Sequence, residues 1–357
     1  MIIFAVTALV LQCATAALKP SSAAPVCRRV QRPTAPPRRV PLPPGVKTPP
    51  HLISIVVDDL GYDDTSLNGN QDIDFTPTLR RLQDEGVRLD RHHTYLWCSP
   101  SRRSFLTGRY PGTSITGIQA PQCSNMLPLQ FTILPEKLAA AGYESHFIGK
   151  GHLGWQTEDH LMVNRNFSSH VGYLGGGESY KWGGTYGSPE KLEDVTHFDM
   201  WQDKEPAPRT VIEQLEYSTN FYAAQAVQRI DAWARTQKAS RRKASRRKTS
   251  AASAVHDEAH DDEAAAGANQ PPMWLHMSFQ AVHGGPWRQD VPAQDALPAI
   301  NSTSHCLDPA YGSATRALDD AVGNITNALK AAGMWDTTLM LVTSDNGGDC
   351  GLPRYVY

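Results

Sequence analysis

Short apolar runs alternate along the chain with segments in which apolar residues recur every three or four positions. The runs, rich in β-branched residues, predict buried strands, whereas the recurring segments predict helices with one apolar face. Strands are expected over residues 52–57, 144–148, 273–279 and 338–342, and helices over residues 78–85, 133–141, 218–233 and 316–332. Because strands and helices alternate, the pattern predicts an α/β fold with a mostly parallel central sheet flanked by helices.

The beginning of the chain departs from this alternation. Residues 1–17 are apolar and include Ala14-Thr15-Ala16, the small-residue pattern of a cleavage site, so they resemble a signal peptide. Residues 18–50 are rich in Pro and Arg, which predicts an extended, disordered lead-in. The folded domain is then expected over residues 51–357.

A charged stretch at residues 236–270 interrupts that domain. An imperfect five-residue repeat of Lys, Arg, Ala and Ser covers residues 238–250, and an acidic segment covers residues 256–263. This composition predicts a solvated, disordered insertion between a helix and the following strand. The alternative is that the basic half of the insertion binds polyanionic glycans.

The composition of the whole chain narrows the classes of partner. The formal net charge is −2 over 357 residues, which gives no basis for binding nucleic acid or a bulk membrane surface. No stretch is long and apolar enough to predict a transmembrane anchor. The six cysteines include no CxxC pair that would predict a zinc site. Sequons at Asn166, Asn301 and Asn324 agree with passage through the secretory pathway.

Polar side chains follow four of the predicted strands. In parallel sheets ligands bind at the carboxyl ends of the strands, and paired carboxylates with an amide offer the hard oxygen ligands that Ca²⁺ or Mg²⁺ prefers. Each residue also has a plain alternative, as a helix cap, a turn residue, a surface lysine or a core histidine. The candidates are Asp58, Asp59, Lys150, His152, His283, Asp345 and Asn346.

A cysteine beside a proline turn begins the run Cys98-Ser99-Pro100-Ser101-Arg102. Ser101 is predicted to cap the N-terminus of a helix, with Cys98 exposed just before it. Backbone N–H groups and Arg102 would make this place electropositive and suited to an anionic group. The alternative is an ordinary loop-to-helix junction with a buried, inert thiol.

This run, followed by Leu106-Thr107-Gly108-Arg109, resembles the signature of the type I sulfatases in the alkaline phosphatase superfamily. Within that family it is most similar to arylsulfatase B-like members. Further segments resemble family motifs in chain order, at residues 57–61, 149–154, 280–283 and 343–348. The resemblance covers residues 50–349 except the insertion, and it implies the sulfatase type of α/β catalytic domain.

The resemblance also implies a set of site residues. In the family the formylglycine-generating enzyme of the secretory pathway oxidises the signature cysteine to formylglycine, so Cys98 would carry the nucleophile. One Ca²⁺ ion would be held by Asp58, Asp59, Asp345, Asn346 and the modified Cys98. The other catalytic residues that the resemblance implies are Arg102, Lys150, His152 and His283.

Each of these residues takes a role from the resemblance. His283, together with a lysine, would protonate the leaving oxygen, and His152 would help the hydrated aldehyde to release sulfate. Arg102 would steady the nucleophile and the metal carboxylates, while Lys150 would bridge the aldehyde and the sulfate.

The expected activity is hydrolysis of an aryl sulfate or of a sulfated sugar ester such as a glycosaminoglycan end, in a lysosome or outside the cell. One alternative is an inactive, truncated relative that binds sulfated glycans. Another is phosphoester hydrolysis, against which the cysteine in the full signature argues.

Two departures from the family pattern are visible. Gly151 stands where the family has tryptophan, which would loosen the hold on Lys150 and His152. No lysine follows the last motif, and no small C-terminal domain follows within the 357 residues. The chain is therefore expected to be a fragment whose C-terminal part is missing.

Overall fold

A computed structural model of the chain describes residues 2–5, 48–68, 75–111, 126–181, 198–252, 270–283 and 309–348. Within these ranges nine strands form one sheet. They are β1 (Ile2–Ala5), β2 (His51–Val57), β3 (Val87–Leu89), β4 (Glu144–Lys150), β5 (Ser169–Tyr173), β6 (Trp201–Gln202), β7 (Glu205–Pro206), β8 (Met273–Phe279) and β9 (Thr338–Ser344).

The strand order is β3-β1-β9-β2-β8-β4-β5-β6-β7. All neighbours from β3 to β5 pair in parallel, and only the short β6 and β7 pair antiparallel at one edge. Strands β2 and β8, near the middle, read as nearly continuous apolar runs because both of their faces are covered. The predicted parallel α/β sheet is therefore confirmed.

Helices cover both faces of the sheet. They are α1 (Pro77–Asp84), α2 (Cys98–Thr107), α3 (Leu134–Ala140), α4 (Arg209–Ile212), α5 (Ser218–Ala252) and α6 (Pro309–Ala331). One core joins Ile53, Ile55 and Val57 of β2 to helices α1, α5 and α6. A second core joins Phe147 of β4 and Trp274 of β8 to helices α2 and α3. Side chains of β2, β4 and β8 alternate between the two cores, as the pleat requires. No helix in the described ranges combines the length and the apolar character that a membrane span requires.

The prediction of a disordered insertion at residues 236–270 is wrong for its first half. Helix α5 continues through these residues as far as Ala252, for 35 residues in all. Residues 236–252 contain no Gly or Pro and consist mainly of Ala, Lys, Arg and Gln, which favour helix. The packed beginning of α5 supplies the nucleus, so extension by further turns meets no nucleation barrier. Residues 253–269 lie outside the described ranges.

The first residues of the chain take a place in the sheet. Strand β1 pairs in parallel with β3 on one side and with β9 on the other. These residues belong to the predicted signal peptide, and a short, β-branched apolar run suits both a signal peptide and a buried strand. Cleavage of residues 1–17 would remove β1, and that cleavage stays a prediction. Most of the predicted Pro/Arg-rich lead-in, residues 18–47, lies outside the described ranges.

Candidate active site

The carboxyl ends of four parallel strands gather the polar residues that the sequence singled out. Asp58 follows β2, Lys150 ends β4, and Asp345 follows β9. Backbone bonds join these ends: Asp58 N donates to Ala281 O (3.0 Å), and Asp345 N donates to Val57 O (2.9 Å). Neighbouring parallel strands end at the same edge, which is why residues distant in sequence meet here.

Three carboxyl groups lie buried at this edge. Asp58, Asp59 and Asp345 are almost inaccessible to solvent. Asp59 adopts a left-handed backbone conformation (φ 53°), and its N–H donates to Asp345 Oδ1 at 3.4 Å. Burial raises the pKa of Asp59, and burial together with the Asp58 carboxylate raises the pKa of Asp345 to about 7. Such a cluster needs positive charge close by.

Two buried cations face these acids. Arg102 Nε donates to Asp345 Oδ2 at 2.8 Å, and Arg102 Nη2 lies 3.6 Å from Asp58 Oδ1. Lys150 Nζ donates to Asp58 Oδ2, and its side chain is fully buried. Burial by itself lowers the pKa of Lys150, but the Asp58 carboxylate outweighs it and the net pKa is raised. Both cations therefore stay charged.

Cys98 begins helix α2, and the prediction that Ser101 caps this helix is wrong. Trp97 occupies the cap position, and Ser101 lies in the first turn, where its N–H donates to Trp97 O at 3.2 Å. Pro100 fits ahead of it because the first N–H groups of a helix have no helical partner. The Ser101 hydroxyl instead bonds to the backbone N–H and C=O of Tyr95 (2.9 and 3.0 Å).

The Cys98 thiol lies against the acid cluster. Its sulfur and one carboxylate oxygen each from Asp58 and Asp345 all lie within 4.8 Å of one another. Burial raises the pKa of the Cys98 thiol, Lys150 acts in the opposite direction, and the neighbouring carboxylates raise it further, so the net pKa is well above the usual value. Cys98 is thus a neutral thiol at the centre of the site, only partly buried rather than exposed as predicted.

His152 lies beside the same centre with its imidazole enclosed. Both ring nitrogens are buried, and neither has a hydrogen-bond partner among the described residues. Burial, with added repulsion from Lys150, lowers the pKa of His152 well below its ordinary value. The backbone is nevertheless held, since the N–H groups of Gly151 and His152 donate to Tyr173 O (2.8 Å) and Leu174 O (3.1 Å). The glycine therefore does not leave this segment loose.

His283 approaches the acids from the loop after β8. Its Nε2 lies 3.9 Å from Asp59 Oδ2, and its imidazole is partly exposed. The Tyr180 hydroxyl, positioned towards the carbonyl oxygens of Gln280 and His283 (3.2 and 3.4 Å), ties this loop down. Gln280 and Glu178 add two reciprocal bonds, with Glu178 N donating to Gln280 Oε1 (2.8 Å) and Gln280 Nε2 to Glu178 O (2.6 Å).

Sequence reasoning gave no role to Ser278, which links the Arg102 side chain to the backbone of Lys150. Its hydroxyl donates to Lys150 O at 2.7 Å and accepts a hydrogen bond from Arg102 Nη1. Arg102 Nη1 also donates to Lys150 O at 3.2 Å. The available signal was a hydroxyl at a fully buried position of β8, since buried polar groups require partners.

The oxygen atoms at this edge fit a hard divalent cation. Asn346 Nδ2 donates to Asp59 Oδ1 at 2.7 Å, whereas Asn346 Oδ1 is buried and accepts no hydrogen bond from the described residues. A carboxylate-rich set of oxygens with one unused amide oxygen is the donor chemistry of Ca²⁺ or Mg²⁺. The residues present therefore fit the ion that the resemblance implies.

Comparisons with known proteins identify the family of the chain. A family model described as Sulfatase matches residues 50–352. Mouse arylsulfatase J is 31% identical over 311 residues, covering 84% of this chain and 43% of the relative. Human arylsulfatase A is 38% identical over 113 residues, covering 31% of this chain and 22% of the relative.

A solved structure extends the likeness to the fold. The crystal structure of Ps i-CgsB matches with a TM-score of 0.60 and 25% identity, covering 85% of this chain and 59% of that one. The chain thus spans less than two thirds of the length of these relatives. The family match includes all four strand ends that build the site, and the chain belongs to the sulfatase family of the alkaline phosphatase superfamily.

Proposed function

We infer that this chain carries the catalytic centre of a sulfate ester hydrolase. The observation that supports this most is the meeting of the Cys98 sulfur with two buried carboxylates and two buried cations. A structural thiol needs no charged neighbours, and burying such charges is costly unless they serve a purpose. Perturbed, buried ionisable groups concentrate where chemistry takes place.

The charges of the site suit a sulfate monoester. Asp58, Asp59 and Asp345 contribute three negative charges when ionised, and Arg102 and Lys150 contribute two positive ones. A bound divalent cation changes this sum from −1 to +1, which favours a substrate with a single negative charge. A site of this kind stabilises charge that develops on transferring oxygens.

Calcium is the ion that we assign to the oxygen donors. The residues that would hold it are Asp58, Asp59, Asp345, Asn346 and the modified Cys98. When bound, the ion supplies Lewis acidity towards a sulfate oxygen. The Arg102–Asp345 and Arg102–Asp58 ion pairs hold two of these carboxylates in position.

Cys98 is the residue that we assign to the nucleophile, after its oxidation to formylglycine. When hydrated, the modified residue would supply one hydroxyl that attacks sulfur as the alcohol leaves, and a second hydroxyl whose deprotonation restores the aldehyde and expels the sulfate held on the first oxygen. His152, enclosed and without a hydrogen-bond partner among the described residues, accepts the proton of that second hydroxyl. Lys150, at the end of β4, orients the modified side chain and the sulfate.

His283 is the residue that we assign to protonation of the leaving alcohol. Its partly exposed imidazole lies at the outer side of the acid cluster, where a leaving group departs towards solvent. The bonds from Tyr180 to the loop carbonyls keep it there.

The substrate that we assign is an aryl sulfate or a sulfated sugar. Trp97, half-exposed and directly before Cys98, offers an aromatic face to a planar aryl group or to a sugar ring next to the nucleophile. The names of the arylsulfatase relatives agree with the first of these. In the family the enzyme that forms formylglycine belongs to the secretory pathway, so we place the protein in a lysosome or outside the cell.

The test is to express the chain through the secretory pathway and to identify residue 98 by peptide mass spectrometry. We expect an aldehyde at Cys98, turnover of 4-nitrocatechol sulfate, and loss of that turnover on treatment with a calcium chelator. Cys98→Ala is the matched variant, and it should retain the fold and lose all turnover. An intact thiol with no turnover would instead identify a non-catalytic relative, and preferred hydrolysis of 4-nitrophenyl phosphate would identify a phosphoesterase.

A further inference from the structure

Helix α5 runs across the sheet from the carboxyl ends of the strands, where the site lies, to their amino ends. At its beginning, Ser218 N donates to the backbone oxygen of Tyr180 (2.8 Å), the residue whose hydroxyl lies 3.4 Å from His283 O. Further along, Trp233 Nε1 donates to Pro271 O (3.1 Å), and the Trp233 ring packs edge-on against His51 with ring centroids 4.4 Å apart. His51 begins β2 and Pro271 precedes β8, so Trp233 marks the edge remote from the site.

The helix then continues beyond the sheet. Ala234 is the last buried residue before the extension, and the backbone stays helical to Ala252. Eighteen further residues at about 1.5 Å each add roughly 27 Å of helix. The described cations of this extension are exposed and form no ion pair with described residues: Arg235, Lys238, Arg241, Arg242 and Lys243. We call residues 235–252 the basic extension.

The basic extension concentrates positive charge in a chain whose net charge is −2. Residues 235–248 contain eight Lys or Arg residues and no Asp or Glu. Several of them are four residues apart, such as Lys238 and Arg242, and like charges at that spacing destabilise a helix. An external polyanion would remove this repulsion.

The distribution of the charges around the helix indicates what shape of partner the basic extension can bind. At about 100° per residue, the eight positions leave no sector wider than roughly 100° without a cation. A helix that lies on a membrane needs one apolar face and one charged face, and the basic extension has no apolar face. A linear polyanion that winds past several sides of a helix fits this distribution.

We propose that the basic extension binds sulfated glycan chains and anchors the protein to them at the end remote from the catalytic site. The choice of a sulfated glycan over a nucleic acid rests on the proposed function. The seven-residue strands separate the two edges by about 23 Å, several Debye lengths at physiological salt. The anchor therefore holds the protein on a glycan without occupying the pocket, so its ligand need not be the ester that is cleaved.

The experiment compares two variants that lose the same charge, both in a Cys98→Ala background in which no sulfate is cleaved. The first is Lys238→Gln/Arg241→Gln/Arg242→Gln/Lys243→Gln, and glutamine retains good helix propensity. The control replaces four exposed cations elsewhere: Arg81→Gln/Arg91→Gln/Lys137→Gln/Lys204→Gln. Binding of a fluorescent heparin dodecasaccharide is measured by anisotropy between 0.05 and 0.2 M NaCl.

We expect the first variant to bind at least tenfold more weakly at 0.1 M NaCl and the control to bind like the parent. The dependence of log K on log salt should become less steep by about three in the first variant alone, since each contact that is lost no longer releases a counterion. Equal weakening in both variants would overturn the proposal. So would equal affinity for the desulfated dodecasaccharide, or tighter binding of a single-stranded oligonucleotide of equal charge. An absence of aryl sulfate turnover in the protein that retains Cys98 would contradict the proposed function, and it would not change the glycan-binding result.

Discussion

Asn346 uses only one end of its amide within the described protein. Its Nδ2 donates to Asp59 Oδ1 at 2.7 Å, while Oδ1 is buried beside the acid cluster without a hydrogen bond from any described residue. An unsatisfied buried acceptor costs free energy, so a bound cation is the simplest partner for it. The same argument does not apply to Asp345, whose Oδ2 already accepts from Arg102.

Replacing this amide should separate metal binding from stability. For Asn346→Ala we expect calcium affinity, measured by titration calorimetry, to fall at least tenfold, because one ligand oxygen is lost. The free energy of unfolding without metal should change by only about 1–2 kcal/mol, the net value of the two hydrogen bonds that Nδ2 donates, to Asp59 Oδ1 and to the backbone oxygen of Gly347 (3.0 Å). Asn164→Ala is the control, since Asn164 Nδ2 also donates to a backbone oxygen (Glu158 O, 2.7 Å) away from the site. Unchanged calcium affinity in Asn346→Ala would remove Asn346 from the ligand set.

At the scale of elements, β4 approaches β8 more closely than a side chain allows. A Cβ added to Gly149 would lie 2.0 Å from Ser278 O, and the residue has a φ of +105°. The next residue is Lys150, so the close approach also positions a cation of the site. Only glycine combines this conformation with this contact.

A pair of glycine variants tests that close approach. Gly149→Ala should lower the free energy of unfolding by more than about 3 kcal/mol, through both strain and collision with β8. Gly142→Ala shares the positive φ (+85°) but would meet nothing within 4 Å, so it should cost only about 1–2 kcal/mol. Urea unfolding curves measure both values. Similar losses in the two variants would contradict the collision and leave backbone strain as the only cause.

The elements were predictable where one signal dominates. The apolar run over residues 273–279 predicts β8 to the residue, because a buried parallel strand has no other sequence requirement. Helix α6 begins at Pro309, earlier than the predicted 316, since the apolar periodicity is weak in its first turns. The extension of α5 was missed because a charged composition indicates solvation and does not exclude helix.

The site was predictable in its residues and not in its contacts. Strand ends on one edge bring Asp58, Lys150 and Asp345 together, as their places in the pattern indicate. Their roles in catalysis and metal binding stay predictions. The left-handed conformations of Asp59 and His152 depend on contacts between segments far apart in sequence, and no local pattern reports them.

At the scale of the whole molecule, several buried histidines connect stability with pH. Burial lowers the pKa of His51 to about 4 and that of His146, His170 and His276 to about 3. Between these values and the unfolded value of about 6.5 the unfolded chain binds more protons than the folded one. These histidines therefore make stability fall as pH falls through this window. The buried carboxyl groups whose pKa is raised act in the opposite sense, namely Asp319 (to about 6), Asp345 (to about 7), Asp59, Glu178 and Asp199.

One histidine can be removed to measure this dependence. His170 is fully buried, and its ring nitrogens have no hydrogen-bond partner among the described residues. His170→Leu should lose about 1.6 kcal/mol less stability than wild type between pH 6.5 and pH 5, because the dependence reaches its full value of about 1.4 kcal/mol per pH unit only below the unfolded pKa. The exposed His93 provides the control His93→Leu, which should follow wild type. Urea unfolding at the two pH values decides, and identical losses in all three proteins would exclude His170 as a source of the dependence.

The burial of the first turn of α2 limits when Cys98 can be modified relative to folding. Residues 99–103 are all nearly inaccessible around the partly buried Cys98. An oxidising enzyme that must bind this segment cannot reach it once the sheet and α2 have packed together. On the proposed chemistry, modification therefore comes before folding, during or soon after entry into the secretory pathway. A chain that folds first keeps its thiol, so the competition between folding and oxidation sets the fraction of active molecules.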